Sequence, residues 1–185
     1  MDVKTLCLAV LFQREATGYE IKKAFEEGPF AHFQRASFGS IYPALSRLLA
    51  EGLAEAEARE QDGRPDKKVY RLTQAGQSAF RQALGQAPEP DHLRSDVLFL
   101  LYFARELPGE RVAALIDGYI ASYREQAERI AGCRAERLAS GTDVDPGRWL
   151  VSGFGVEVYR AAADYLARNR EALVTGLARP MEAAE

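Results

Sequence analysis

The chain has 185 residues, 47% hydrophobic and 28% charged, with a formal net charge of −3. That balance suits a soluble globular chain of one large or two small domains and excludes a disordered one. No apolar run approaches the roughly 18 residues of a membrane span, and the apolar start from Val3 to Phe12 follows Asp2 and lacks a small-residue cleavage site, so a cytoplasmic chain without a membrane partner is expected.

Asp2 to Gln13 reads as a short apolar helix through Val3, Leu6, Cys7, Val10 and Leu11. Thr17-Gly18-Tyr19-Glu20 has capping-box spacing, a hydroxyl followed three residues later by a carboxylate, so a second helix starts there. It runs to about Glu27 and stops at Gly28-Pro29. A third helix lies between Ser37 and Gly52. Ile41, Leu45, Leu48 and Leu49 recur on one face of it, and Gly52 is placed to end it. The opposite face carries Ser40, Pro43 and Arg47, with Tyr42 on the shoulder. Deep in a helix Pro43 would cost about 3 kcal/mol. In a first turn it costs little, so regular helix is expected from about Gly39-Ser40. A helix start with small and hydroxyl residues can approach DNA closely, and its free N–H groups suit a phosphate.

Glu55 to Gln61 has helical composition, yet it follows Gly52 and alternates with period two. Asp62-Gly63 is a turn signal, and Lys67 to Leu72 reads as a strand with Lys68, Tyr70 and Leu72 on one side. Strands are therefore expected near 53–60 and 67–72, forming a two-stranded hairpin. Thr73 caps a fourth helix ending near Leu84. Helix, helix, helix, hairpin, helix is the order of a winged helix-turn-helix, assigned to residues 1–86.

Ala87-Pro88-Glu89-Pro90 is a linker, and residues 91–185 form a second, all-helical domain. Asp91 to Glu106 is expected as a strongly apolar helix buried on most sides. Pro108 opens a long helix to about Ala139, with a heptad-like seam of Val112, Ile116, Tyr119, Tyr123, Gln126, Ile130 and Cys133. After a loop from Gly141, Asp145 caps a last helix that starts at Pro146 and runs to about Leu177. Its apolar stripe is Val151, Phe154, Val158, Ala161, Ala162, Tyr165 and Leu173. Helices of roughly 30 residues span roughly 40 Å and cannot bury both faces in so small a domain, so a second subunit is expected to cover them.

The run SFGSIYPALSRLLAEGL, then GRP-x-KK-x-Y-x-LT-x-x-G, together with GYEI at residues 18–21, resembles the PadR family of regulators over roughly residues 5–84. The resemblance implies a homodimer on double-stranded DNA, with one recognition helix per subunit in adjacent major grooves and wings on the flanking minor groove or backbone. It also implies repression relieved by a small molecule. Composition alone does not suggest DNA: residues 1–86 carry a net charge of +1 and the remainder −4. The position of the basic groups matters more than their sum. Glu55, Glu57, Glu60, Asp62 and Asp66 make this wing less basic than the family pattern.

Candidate DNA-contacting residues are Tyr19, Lys22, Ser37, Ser40, Tyr42, Pro43 and Arg47 from the helices, and Arg64, Lys67 and Lys68 from the wing. The plainer readings are core for Tyr19, shoulder packing for Tyr42 and Pro43, a solvated helix residue for Arg47 and a charged hairpin for the wing. Phe25, Phe30, Phe33 and Phe38 read as core rather than a base-stacking platform. Tyr119, Tyr123, Trp149 and Phe154 are candidates to bind a small aromatic effector, against a plain reading as core and interface. Cys133 reads as a buried inert thiol beside ordinary surface arginines. Cys7, Cys133, His32 and His92 give no zinc spacing, and there is no Gly-rich phosphate loop or nucleophile motif, so neither a cofactor nor an enzyme is expected. The rival reading is a winged helix used only for protein–protein contact.

Overall fold

The computed structural model describes residues 1–27, 30, 38–61, 64–141 and 143–177, with backbone alone for 38, 60–61 and 64–66. The chain divides after Asp91 into two compact units.

The first unit is built on helix α1 (Val3–Gln13), which buries Leu6, Cys7, Leu8, Val10 and Leu11 and so is enclosed on most sides. Asp2 caps it, accepting the Thr5 N–H at 2.9 Å, and those hydrogen bonds hold its carboxyl below the usual range. Burial pushes the Cys7 thiol up to about 12, so it stays protonated and inert. A two-residue strand β1 (Ala16–Thr17) leads directly into α2 (Gly18–Glu26), where Thr17 and Glu20 form the expected capping box. Helix α3 (Phe38–Ala50) buries Ile41, Leu45 and Leu48 against α1. It ends in a Schellman turn: Gly52 takes φ +67°, the Gly52 N–H donates to Leu49 and the Leu53 N–H to Leu48. The Gly28-Pro29 stop and the Asp62-Gly63 turn lie outside the described residues.

Strands β2 (Ala54–Gln61) and β3 (Arg64–Leu72) form the wing, and α4 (Gln74–Leu84) follows from its Thr73 cap. The arms reach nearer to the turn than the sequence suggests, because pairing continues to Gln61 and Arg64 past an irregularity at Arg59–Gln61. The hairpin is also joined by a third strand. β1 pairs antiparallel with β3, Ala16 opposite Tyr70 and Thr17 opposite Val69, giving the order β1-β3-β2. Thr73 ties the unit together: its hydroxyl donates to the Gly52 carbonyl at 2.8 Å and accepts the Gly76 N–H at 3.1 Å. Gly76 sits so tightly that a Cβ there would lie 1.9 Å from the Leu53 carbonyl oxygen.

The second unit comprises α5 (Asp96–Tyr102), a 3-10 turn (Ala104–Glu106), α6 (Gly109–Ala139) and α7 (Pro146–Leu177). α6 and α7 run antiparallel, as shown by Asp117 with Arg170, Tyr123 with Tyr159 and Arg134 with Trp149. Their shared core is Ala104, Val112, Ile116 and Ile120, with Leu101, Leu107, Leu166 and Leu173 packed around it.

Four expectations are corrected here. The apolar helix does not span Asp91 to Glu106. Ser95 is its cap, accepting the Leu98 N–H at 3.2 Å, and the chain leaves helical geometry at Phe103. Nor is it buried on most sides: Val97 is covered, while Leu93, Phe99 and Tyr102 (84% exposed) lie open on the single chain. The face of α6 that packs within the unit is Val112, Ile116, Ile120 and Ala127; Tyr119, Tyr123, Gln126 and Ile130 are half-buried beside it. Finally, Cys133 is exposed rather than buried, since it lies off the face of α6 that carries Val112, Ile116, Ile120 and Ala127.

Candidate nucleic-acid interface

The burial of Ile41, Leu45 and Leu48 fixes which side of α3 faces outward. Pro43 and Arg47 are exposed there, Ser40 is half-buried and Tyr42 is 46% exposed on the shoulder. Ser37 lies outside the described residues. On α2, Tyr19 is 61% exposed, and the Lys22 ammonium pairs with Glu26 at 3.0 Å, one helical turn on.

The wing sorts its charges by register. Glu55 lies opposite Arg71 in the ladder, and the two pair at 2.8 Å. Arg59 makes a two-pronged pair with Glu15, at 2.5 and 2.9 Å, and also lies 3.5 Å from Glu57. The Arg59 guanidinium holds the Glu15 carboxyl below the usual carboxylate range. Two of the acids that dilute the wing are therefore spent on Arg59 and Arg71. Lys67 and Lys68 are exposed and, like Arg47, make no ion pair among the described residues. The Lys68 ammonium lies 5.5 Å over the Tyr70 ring. Of Arg64, only its backbone place at the start of β3 is described.

Residues 7–82 match the model of the transcriptional regulator PadR-like family. The negative transcriptional regulator PadR of Bacillus subtilis (strain 168) is 25% identical over 155 residues, 80% of this chain and 85% of its own. The PadR-like transcriptional regulator BC1756 from Bacillus cereus superposes with a TM-score of 0.74 at 29% identity, over 95% of this chain and 99% of that one. Over residues 7–82 the chain is PadR-like, and over most of its length it is similar to PadR-like regulators. The fold is also that of Bacillus subtilis PadR solved in complex with operator DNA (TM-score 0.76, 24% identity, 92% of this chain and 96% of that one). The same protein solved with p-coumaric acid has the fold as well (TM-score 0.62, 21% identity, 96% of each chain).

One close approach in the first unit leaves no mark in the spacing of the sequence. Gly18, the first residue of α2, lies directly under the Tyr42 ring. The signal was present in the GYEI run, but a glycine there reads as a helix start, not as room for a ring from α3. The Glu15–Arg59 pair was equally silent, since the partners are far apart in sequence.

The effector candidates fall into separate places. Tyr119 and Tyr123 meet edge-on at 5.3 Å, and Tyr159 lies 5.8 Å from Tyr123. Burial and the neighbouring tyrosines raise the Tyr123 phenol above its usual value. Trp149 stands ten residues before Tyr159 on α7, roughly 15 Å along the helix. Its ring is covered by the Arg134 guanidinium at 3.5 Å, which also donates to the Trp149 carbonyl and to Ser152 Oγ. Arg134 is thus a clasp between α6 and α7, not an ordinary surface arginine. Phe154 is 69% exposed.

Proposed function

We propose that this PadR-like regulator is a cytoplasmic homodimeric repressor that reads an inverted-repeat operator in duplex DNA. One observation carries the reading. The face of α3 opposite the core offers Pro43, Arg47 and Tyr42, beside a wing whose lysines, Lys67 and Lys68, are exposed and make no ion pair among the described residues. Arg47, Arg64, Lys67 and Lys68 supply phosphate contacts. Tyr42, with Ser37, Ser40 and Pro43 near the helix start, meets base edges, and Tyr19 and Lys22 touch the backbone from α2.

Two-fold symmetry requires a partner, and Leu98, Phe99, Tyr102, Leu150, Val151 and Phe154 are exposed apolar side chains that a partner would cover. Selection of duplexes from random sequence, followed by titration at rising salt, tests the reading. An inverted repeat should emerge and affinity should fall steeply with salt, because phosphate contacts release counterions. No preference over random duplex contradicts it.

Derepression is assigned to a small aromatic effector held by Tyr119, Tyr123 and Tyr159, with Trp149 and Phe154 further along α7. A phenolic acid that binds there weakens operator binding by the same factor with which DNA weakens the effector. Tyr123→Ala should abolish that coupling; coupling that survives it removes the tyrosines from the sensing site.

A further inference from the structure

A Cβ built on Gly18 would stand 2.8 Å from Tyr42 Cε1, 2.9 Å from Cζ and 3.0 Å from the hydroxyl oxygen. The Tyr42 ring therefore rests on the Gly18 backbone. Gly18 does not take a positive φ, so no backbone conformation demands glycine there. Helix propensity alone favours alanine. What the position excludes is a side chain.

The place of Gly18 is fixed from two directions. Thr17 pairs with Val69 in the sheet. The Thr17 N–H donates to Glu20 Oε2 at 2.7 Å, and the Glu20 N–H donates back to the Thr17 hydroxyl at 3.2 Å. Tyr70, buried on β3, lies close enough for Tyr42 to help raise its phenol above the usual value, after burial as the main cause. Lys68 of the wing covers the Tyr70 ring. The ring of α3, the start of α2 and the wing thus meet at one point, while Tyr42 keeps nearly half its surface open.

We propose that Gly18 is a positioning residue for DNA recognition, its missing side chain leaving the space in which the Tyr42 ring is held ready for the operator. The proposal rests on the reading of α3 as the DNA-contacting helix. A ring fixed before binding loses less freedom on binding and meets its target in one geometry. A methyl group at Gly18 displaces that ring, yet leaves Arg47, Lys67 and Lys68 untouched.

The test is a cycle of Gly18→Ala, Tyr42→Ala and the double variant, each titrated with the selected duplex and with random duplex. Gly18→Ala should lower the ratio of specific to non-specific affinity by about tenfold, the size of one good base contact. Its affinity for random duplex and its thermal midpoint should stay as in the wild type. In the Tyr42→Ala background the same substitution should change nothing, because coupled residues fail to add. If Gly18→Ala does not fold, the double variant should fold, since the colliding ring is gone. An unchanged ratio in Gly18→Ala, an equal loss in the Tyr42→Ala background, or a double variant that stays unfolded would each overturn the proposal. A wild-type chain that prefers no duplex sinks the DNA reading and this proposal together; a selective wild type with an unaltered Gly18→Ala removes the positioning role alone.

Discussion

Gly76 and Glu20 show how single positions hold the first unit together. A methyl group on Gly76 would meet the Leu53 carbonyl at 1.9 Å, and that oxygen belongs to backbone already bonded to the Thr73 N–H. Neither side can give way cheaply, so Gly76→Ala should cost about 3 kcal/mol, the upper end for overpacking, read as a lowered denaturant midpoint. Glu20 works through charge. The Thr17 N–H and hydroxyl bond its carboxylate and hold its pKa below the usual value. Its contribution is therefore complete above the unfolded-state pKa of about 4.3 and is lost as pH falls through the lower folded value. Glu20→Gln should lower the thermal midpoint at pH 7 by the equivalent of about 0.5 kcal/mol, after allowance for solvent screening. The gap from wild type should narrow in acid. A gap constant from neutral pH to about pH 3 would show that the carboxylate is not what the cap uses.

At the scale of elements, the proposed function has α3 and the wing divide the labour of binding. Lys67→Ala or Lys68→Ala should weaken binding to all duplexes alike and reduce the salt slope by about one each, whereas Tyr42→Ala should reduce discrimination between sites. Titrations of specific and random duplex at several salt concentrations separate the two effects; a wing lysine that alters only discrimination contradicts the assignment. These elements were legible in the sequence because their signals are local. The caps at Thr17, Thr73 and Asp145 announce helix starts within four residues, and Ile41, Leu45 and Leu48 set the buried side of α3 by spacing alone. β1 was not legible: two residues carry no periodicity, and the strand exists only through pairing with Tyr70 and Val69. The Gly18–Tyr42 contact was hidden for the same reason, as was the Arg134 clasp on Trp149. The apolar stretch ending at Glu106 misled in another way. Its composition reads alike whether or not the side chains pack within their own chain, and Leu98, Phe99 and Tyr102 lie open on the single chain.

For the whole molecule, net charge does not separate the two units. Residues 1–86 carry +1 and the remainder −4, but Glu89 and Asp91 belong to the first unit, so any attraction to DNA rests on where Arg47, Lys67 and Lys68 sit rather than on a sum. In the proposed dimer, affinity comes from two linked first units, with the second supplying the link. A chain ending near Gly147 lacks α7 with its exposed Leu150, Val151, Phe154 and Tyr165. It should sediment as a monomer and lose specific binding; a stable dimer would place the interface elsewhere. The central claim, a symmetric pair reading two half-sites in register, is tested most directly by altering the spacing of the selected inverted repeat. An insertion of about 5 base pairs between the half-sites turns one of them to the opposite side of the duplex. Affinity should fall to that for random duplex. Affinity unchanged by the insertion would mean that each chain binds its half-site independently, and would contradict the account.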